Sequence, residues 1–459
     1  MEDFPSWERG NRVEYPALRG SKQADVAIIG GGLTGLSLAA MLAGNGLRVI
    51  LLEDRRLACG ASWACTGKVT AQLGSIYRTV ADSAGIACAQ SYARMAISAV
   101  REVEDTCRRL NLDCALRRQD TYLFARCEAD VPALEAVFQL EKELGLPVLR
   151  SSDAGDCPLP VEKAIVLRDQ LSLQPVPYCL GLAEDAVRRG CQIYEQSPVR
   201  RMADGRVVTP AGRVEATHVV LATGSPIGVK SLPLLAMMDQ RVCQVRVMAG
   251  GAPSHNSHLS ASDRGMTFRP CQAGMLAVRD VGRAGCRHQD RQYDAFRRQV
   301  QRLLRDWQQT DCITRQDVWS ADGLPLIGPV HAGDGHRLMA AGYSGWGVVN
   351  AHLAARVLSA YLLGQPMEEA AIFAPTRQYP GHGRVVLRGG MKPAGAFLAG
   401  LPRMSAPVCP HMGCRMRYDL EERRWRCPCH GSSFSVLGEC LNGPAYTDAD
   451  VSHRQRPDG

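Results

Sequence analysis

Ala24-Asp25-Val26-Ala27-Ile28-Ile29-Gly30-Gly31-Gly32-Leu33-Thr34-Gly35 is the stretch that decides the fold. Its first half is a short β-branched run, which reads as a buried parallel strand. Its second half is G-x-G-x-x-G, carried by Gly30, Gly32 and Gly35. The Ala/Leu-rich run from Leu33 to Leu42 predicts a helix, ended by Gly44-Asn45-Gly46. Gly30 permits a tight turn, Gly32 lets a pyrophosphate approach the backbone, and Gly35 lets helix and strand pack closely. The helix N-terminus offers phosphates its free N–H groups and the positive end of its dipole. Further out, Arg48 to Leu52 reads as a second strand closed by Glu53, where an acid binds ribose hydroxyls. The bland alternative, a Gly-rich turn in some other α/β protein, does not account for so much context.

The remaining chain predicts helices around 85–110, 131–144, 178–190, 290–307 and 347–363. It predicts strands near 191–202, 206–209, 213–221 and 337–341, with strands and turns over 240–285, and residues 1–24 read as an irregular arm. Residues 153–176 are mixed. A Pro/Gly-punctuated stretch at 374–383 reads as a linker, and 384–459 as short strands around a Cys/His cluster. No internal repeat or low-complexity tract is present.

Three further segments argue for FAD over NAD. Val219-Val220-Leu221-Ala222-Thr223-Gly224 is an apolar strand ending in a Gly turn. Trp319 to Gly328 is a late strand and loop. Gly342-Tyr343-Ser344-Gly345-Trp346-Gly347 precedes a helix and offers another anion site, suited to the electron-rich end of a reduced flavin. In this order the segments resemble the FAD-dependent oxidoreductases of the D-amino-acid-oxidase-like class, which includes glycine and sarcosine oxidases, over roughly 24–376. By that resemblance Gly60-Ala61-Ser62 and Thr66 to Gln72 form a second flavin-contacting loop. Ser62, Thr66 and Gly67 would lie near the pyrophosphate and flavin ring, and Val199, in a strand after Ser197-Pro198, would meet adenine through its backbone. Lys68 and Gln72 are equally well read as solvated or hydrogen-bonded loop residues.

Near the end stands Cys409-Pro410-His411-Met412-Gly413-Cys414, followed by Cys427-Pro428-Cys429-His430-Gly431-Ser432-Ser433-Phe434. A Cys2His2 zinc site is the rival reading. It leaves Cys414, Cys429 and the Gly-Ser pair unexplained. The pattern resembles a Rieske [2Fe–2S] domain, in which two Cys bind one iron and two His the other. The resemblance makes Cys409, His411, Cys427 and His430 the cluster ligands, and Cys414–Cys429 a disulfide tying the two loops. It makes Gly443-Pro444-Ala445 a covering third loop and Ser432 a hydrogen-bond donor to a cluster sulfide. Phe434 stands where high-potential members carry Tyr, which predicts a lower potential. Cys440 reads as a plain thiol.

The expected architecture is an α/β Rossmann-like FAD-binding domain (about 24–76, 166–237 and 318–376), a mixed α+β substrate domain (about 77–165 and 238–317), a linker at 377–383 and a small all-β Rieske domain at 384–459. Fusing a hydride acceptor to a one-electron cluster lets two electrons leave singly. The whole resembles a bacterial subgroup of D-amino-acid-oxidase-like flavoproteins with a C-terminal Rieske domain. It departs from that subgroup at Leu73, usually His, and at Val278-Arg279-Asp280-Val281-Gly282. Relatives oxidise C–N bonds, often pairing a substrate carboxylate with Arg, so Arg269 and Arg279 are candidates. His336 reads as a solvated turn residue and His352 as packing. No catalytic side chain is assigned.

Composition bounds the rest. Apolar residues at 46% and charged residues at 22% describe a globular chain. The net charge of +8 is scattered, without the basic run that nucleic acid or a membrane surface needs. No stretch has bilayer-spanning apolar length. Of 18 Cys, thirteen are irregularly spaced before residue 320, which predicts a reducing cytoplasm. Three functions follow: a dehydrogenase of amines or amino-acid-like substrates exporting electrons to a one-electron carrier such as a ferredoxin; a reductase fed through the Rieske centre; or a redox or iron sensor. With the two sites in separate domains, losing the cluster is expected to leave FAD bound.

Overall fold

The strand Gly20–Ile29 lies at the middle of a parallel sheet, flanked by Val49–Leu52 on one side and Gly212–Gly224 on the other. Val26 faces Val49, and Ile28 faces Leu51; Ala27 and Ile28 are fully buried. Strands covered on both faces need such continuous apolar runs. Arg337–Ala341 extends the sheet in parallel, Leu326–Pro329 closes that edge antiparallel, and Gln192–Tyr194 closes the other. The helix Leu33–Gly44 covers this sheet. Apolar all round and almost wholly buried, it packs against Pro175–Arg188 and Gly347–Leu362. It stops where Asn45 folds back on the Met41 carbonyl. The computed structural model describes residues 13–451 apart from 204, 230, 232–233, 236, 252–253, 263–265, 272–273, 284–288, 399–405 and 420–422. The start of the expected N-terminal arm and the last residues of the expected Rieske domain lie outside the described residues.

A second sheet runs Trp307–Ser320, Met238–Gly250, Gly274–Arg283, Thr267–Cys271, Ser257–Ser260, Arg117–Ala125, Lys163–Ser172 and Lys68–Val69, with Leu149–Ser151 beside Lys163–Ser172. It is antiparallel except where Ser257–Ser260 meets Arg117–Ala125. The helix Gln289–Leu303 lies against it, with Phe296 and Val300 buried. That helix ends before residue 307, because Trp307 opens a fourteen-residue strand paired along Met238–Gly250. A third, four-stranded antiparallel sheet comprises Arg417–Asp419, Arg424–Arg426, Ser433–Phe434 and Cys440–Asn442.

Three local expectations are corrected. Residues 382–398 are a helix rather than short strands, its Val385 and Val386 packing onto the first sheet's core. Val199 lies in a loop between the strands Gln192–Tyr194 and Arg201–Ala203, not in a strand. Arg117–Ala125 and Lys163–Ser172 are long paired strands in a region read as helical or mixed. The segment 374–383 is tied to the first domain. Arg377, 7% exposed, clasps Asp322 through two 2.8 Å hydrogen bonds and donates to the carbonyls of Leu324, Pro325, Phe373 and Ala374.

Candidate functional site

A cavity of about 720 Å³ opens where the central strands end. Gly30, Gly32, Glu53, Ser62, Val199, Gly224, Gly342 and Gly347 line it. Thr66, Gly67, Ser344, Gly345 and Trp346 do not, and Gly35 acts behind it. A Cβ on Gly35 would overlap the Gly30 carbonyl oxygen, so Gly35 allows the strand–helix contact that sets the turn. Gly30 has φ +111°, and a Cβ there would stand 2.5 Å from the Ala222 carbonyl oxygen. Leu33, the first helical residue, donates its N–H to Ser62 Oγ at 2.9 Å, which seats the 60–62 loop against the helix start.

Glu53 accepts the N–H of Gly31 at 2.7 Å and of Arg55 at 3.0 Å, leaving carboxylate lone pairs towards the cavity. Burial and the neighbouring Asp54 carboxyl push its pKa up. A bare glycine turn, a helix N-terminus and an acid at the next strand end make a cradle that could hold a dinucleotide.

Several lining residues carried no sequence signal. Arg315 and Asp317, on Trp307–Ser320, form an ion pair at 3.7 Å. Asp317 also accepts the Gly345 N–H, placing a carboxylate beside the helix that starts at Gly347; burial raises its pKa. Beside them, Lys68 Nζ lies 5.5 Å from the Trp346 ring centroid. Burial, with the charges of Arg315 and Arg269, brings Lys68 down to about 7. Arg269, 6% exposed, donates to the Leu173 carbonyl, and burial lowers its pKa to about 10. Lys68, Arg269 and Arg315 thus form a desolvated cationic group served by one carboxylate.

The other sequence candidates fall elsewhere. Arg279 pairs with Gln299 on the helix behind the sheet. Gln72 is fully buried and donates to Glu141 at 2.9 Å, a hydrogen-bonded core role. His336 is an exposed turn residue, and His352 is buried against Glu102 at 3.2 Å.

In the small domain the two Cys/His segments fold alike. The Cys409 carbonyl accepts the Gly413 N–H at 3.0 Å and the Cys427 carbonyl the Gly431 N–H at 2.9 Å, with both glycines at positive φ. Cys409 and Cys427 are each 1% exposed and His411 and His430 nearly buried, the two rings 5.1 Å apart. The neighbouring Cys427 sulfur and surrounding backbone N–H groups bring Cys409 down to about 7, and the same contact pushes Cys427 up. His430 Nδ1 is buried without a hydrogen-bond partner among the described residues, and burial lowers its pKa to about 4. A buried, neutral imidazole with an unused nitrogen suits a metal ligand. Cys414 and Cys429 are joined as a disulfide, as the resemblance implies. Their sulfurs lie within 4.8 Å of Cys427, but once joined they offer no thiolate. Ser432 Oγ accepts the Ala445 N–H at 3.0 Å, and its hydroxyl bonds the Cys409 sulfur. Residues 443–445 therefore cover the ligand loops.

The two sites share walls. Arg424, Cys440, Leu441, Asn442, Gly443, Ala445 and Tyr446 of the small domain line the 720 Å³ cavity. Cys440, read as a plain thiol, is part of that wall. His411 Nε2 faces the Val229 carbonyl at 3.4 Å, Arg200 meets Asp448 at 3.5 Å, and Gln316 donates to the Gly431 carbonyl at 2.9 Å. No helix among the described residues is long and apolar enough to cross a membrane.

Comparisons with known proteins agree with this division. Residues 25–361 match the family model for FAD dependent oxidoreductases, and 376–452 that for the Rieske [2Fe-2S] domain. The Rieske 2Fe-2S iron-sulfur protein YhfW of Bacillus subtilis is 26% identical, with 94% of each chain covered. Gamma-glutamylputrescine oxidoreductase of Escherichia coli is 26% identical, covering 82% of this chain and 91% of its own. Glycine oxidase from Geobacillus kaustophilus superposes with TM-score 0.64 at 19% identity, covering 78% of this chain and 99% of its own.

Proposed function

This chain belongs to the FAD dependent oxidoreductase family, and from that premise we propose that it dehydrogenates an amine or amino-acid-like substrate and passes the electrons singly through its Rieske centre to a one-electron carrier protein. FAD and a [2Fe–2S] cluster are its cofactors. When bound, they supply hydride acceptance and one-electron carriage. Gly30, Gly32 and Ser62 shape the pyrophosphate turn, Glu53 takes the ribose, and Val199 and Gly224 flank the nucleotide. Gly342 and Gly347 bound the end where Arg315 and Asp317 stand. Thr66, Gly67, Ser344, Gly345 and Trp346 support that end from behind. Cys409, Cys427, His411 and His430 hold the cluster, clamped by Cys414–Cys429. The cationic group of Lys68, Arg269 and Arg315 orients the substrate through its carboxylate. The many cysteines outside the disulfide among the described residues favour a reducing cytoplasm as its place of work.

The observation that carries this reading is the shared cavity: the small domain supplies part of the wall of the dinucleotide site. Such contact is what electron exchange between the two cofactors would require. The test is anaerobic mixing of the holoprotein with amine and amino-acid panels, following flavin bleaching optically and cluster reduction by EPR. Flavin bleaching followed by a reduced-cluster signal is expected. A cluster reduced only by an external donor, with electrons then appearing on the flavin, would reverse the direction.

A further inference from the structure

We propose that Gln316 is the positioning residue that couples the flavin cavity to the iron–sulfur cluster, an assignment that rests on the electron flow proposed above. Gln316 stands between Arg315 and Asp317, both of which line the 720 Å³ cavity. Its side chain points the other way. Nε2 donates to the Gly431 carbonyl at 2.9 Å, and Oε1 accepts from Asn442 Nδ2. Gly431 follows His430 directly, and its N–H donates to the Cys427 carbonyl. One amide therefore joins the strand at the cavity to the loop carrying two of the four ligands.

From the cavity strand to the His430 backbone the link runs through one side chain, one hydrogen bond and the Gly431 residue. Gln316, Gly431, Asn442 and Arg424 also line a small cavity of about 100 Å³ between the domains, so the bridge stands at the seam where the two domains meet. The competing approach, His411 Nε2 to Val229 O, is longer at 3.4 Å and makes a weaker bond. Gln316 is uncharged, and no bond of it forms or breaks. Each turnover removes two electrons from substrate. They cross one at a time, and the one-electron carrier reoxidises the cluster between the two transfers.

The experiment needs no substrate. Flash photoreduction of the flavin in the holoprotein, with EDTA as electron donor, reads the electron's arrival at the cluster by absorbance. Gln316→Met keeps the length and removes both hydrogen bonds, and is expected to slow arrival about tenfold. Gln316→Leu, also uncharged, loses both the donor to Gly431 and the acceptor for Asn442, and is expected to slow it as well, providing a second variant should the first fold poorly. Cluster EPR signature, cluster potential and flavin spectrum should stay as in the parent. Asp448→Asn keeps the Oδ1 that accepts the Cys440 N–H, weakens only the exposed interdomain pair with Arg200, and should leave the rate unchanged. Equal slowing by Asp448→Asn, an EPR signature that changes in step with the rate, or unchanged rates in both Gln316 variants would each overturn the assignment. A cluster that never receives the electron in the parent protein overturns the underlying electron flow instead, and is distinguished because no variant is involved.

Discussion

Replacing Arg377 with Leu removes the cation from a buried pair that fastens the segment between the two domains. Asp322 is fully buried and Arg377 nearly so, with two 2.8 Å charge-assisted bonds between them. Breaking one side of such a pair costs about 3–5 kcal/mol, because the remaining charge is stranded away from water. Here Asp322 keeps the Tyr379 hydroxyl at 2.9 Å and the Leu324 N–H at 3.1 Å, so the lower end, about 3 kcal/mol, applies. The carbonyls of Leu324, Pro325, Phe373 and Ala374 lose their donor too, which keeps the loss from falling further. With a urea slope near 3 kcal/mol per molar, the unfolding midpoint should drop by about 1 M. Urea titration followed by tryptophan emission measures it. The double variant Asp322→Leu with Arg377→Leu should recover at least half the loss, since no charge is then stranded. A single-variant shift below about 0.3 M, or a double variant no better than the single, would refute this account of the clasp.

Lys68, lowered by burial to about 7, carries its charge below that pH and loses it above. Affinity for a simple carboxylate such as benzoate, read by flavin perturbation, should therefore fall about tenfold from about pH 6 to about pH 8.5, and Lys68→Met should flatten the profile. Burial raises Glu141 to about 8, so the folded chain holds a proton that the unfolded chain gives up near 4.5. Its contribution is intact below pH 4.5 and is lost as pH rises to 8; Glu141→Gln should gain about 3 kcal/mol over the parent at pH 9 and little at pH 4, by urea unfolding. Cys409→Ala should abolish the cluster signal and also lower FAD retention on gel filtration, because the 443–445 loop tied to Ser432 lines both sites. Full flavin occupancy in that variant would favour independent sites.

The dinucleotide turn was legible because all its requirements are local. Strand, three glycines, helix and acid occupy Ala24 to Glu53, and the structure brings Gly30, Gly32 and Glu53 to one cavity. The Cys/His loops were legible for the same reason. What the chain hid is long-range. Lys68, Arg269 and Arg315 come from three strands of one sheet, and nothing near any of them marks the others. Gln316 and Gly431 lie 115 residues apart. The helix His382–Leu398 was missed because Gly389, Gly390 and Pro393 lower its intrinsic preference, and the packing of Val385 and Val386 decides the matter. Arg117–Ala125 and Lys163–Ser172 escaped because buried polar residues (Gln119, Thr121, Gln170, Ser172) interrupt their apolar pattern, and Leu123–Ala125 and Ala164–Leu167 are buried consecutively, so no two-residue alternation shows.

The wall that Cys440–Tyr446 contributes to the dinucleotide cavity makes flavin retention a property of both domains. If the loops around Cys409 and Cys427 need their metal to take this shape, the cluster would be the latch that holds the flavin in. Cells starved of iron should accumulate a chain that exchanges its flavin with the medium, whereas the mature protein should hold it through dialysis. Equal flavin exchange by iron-starved and iron-replete protein would show that the latch is not the cluster.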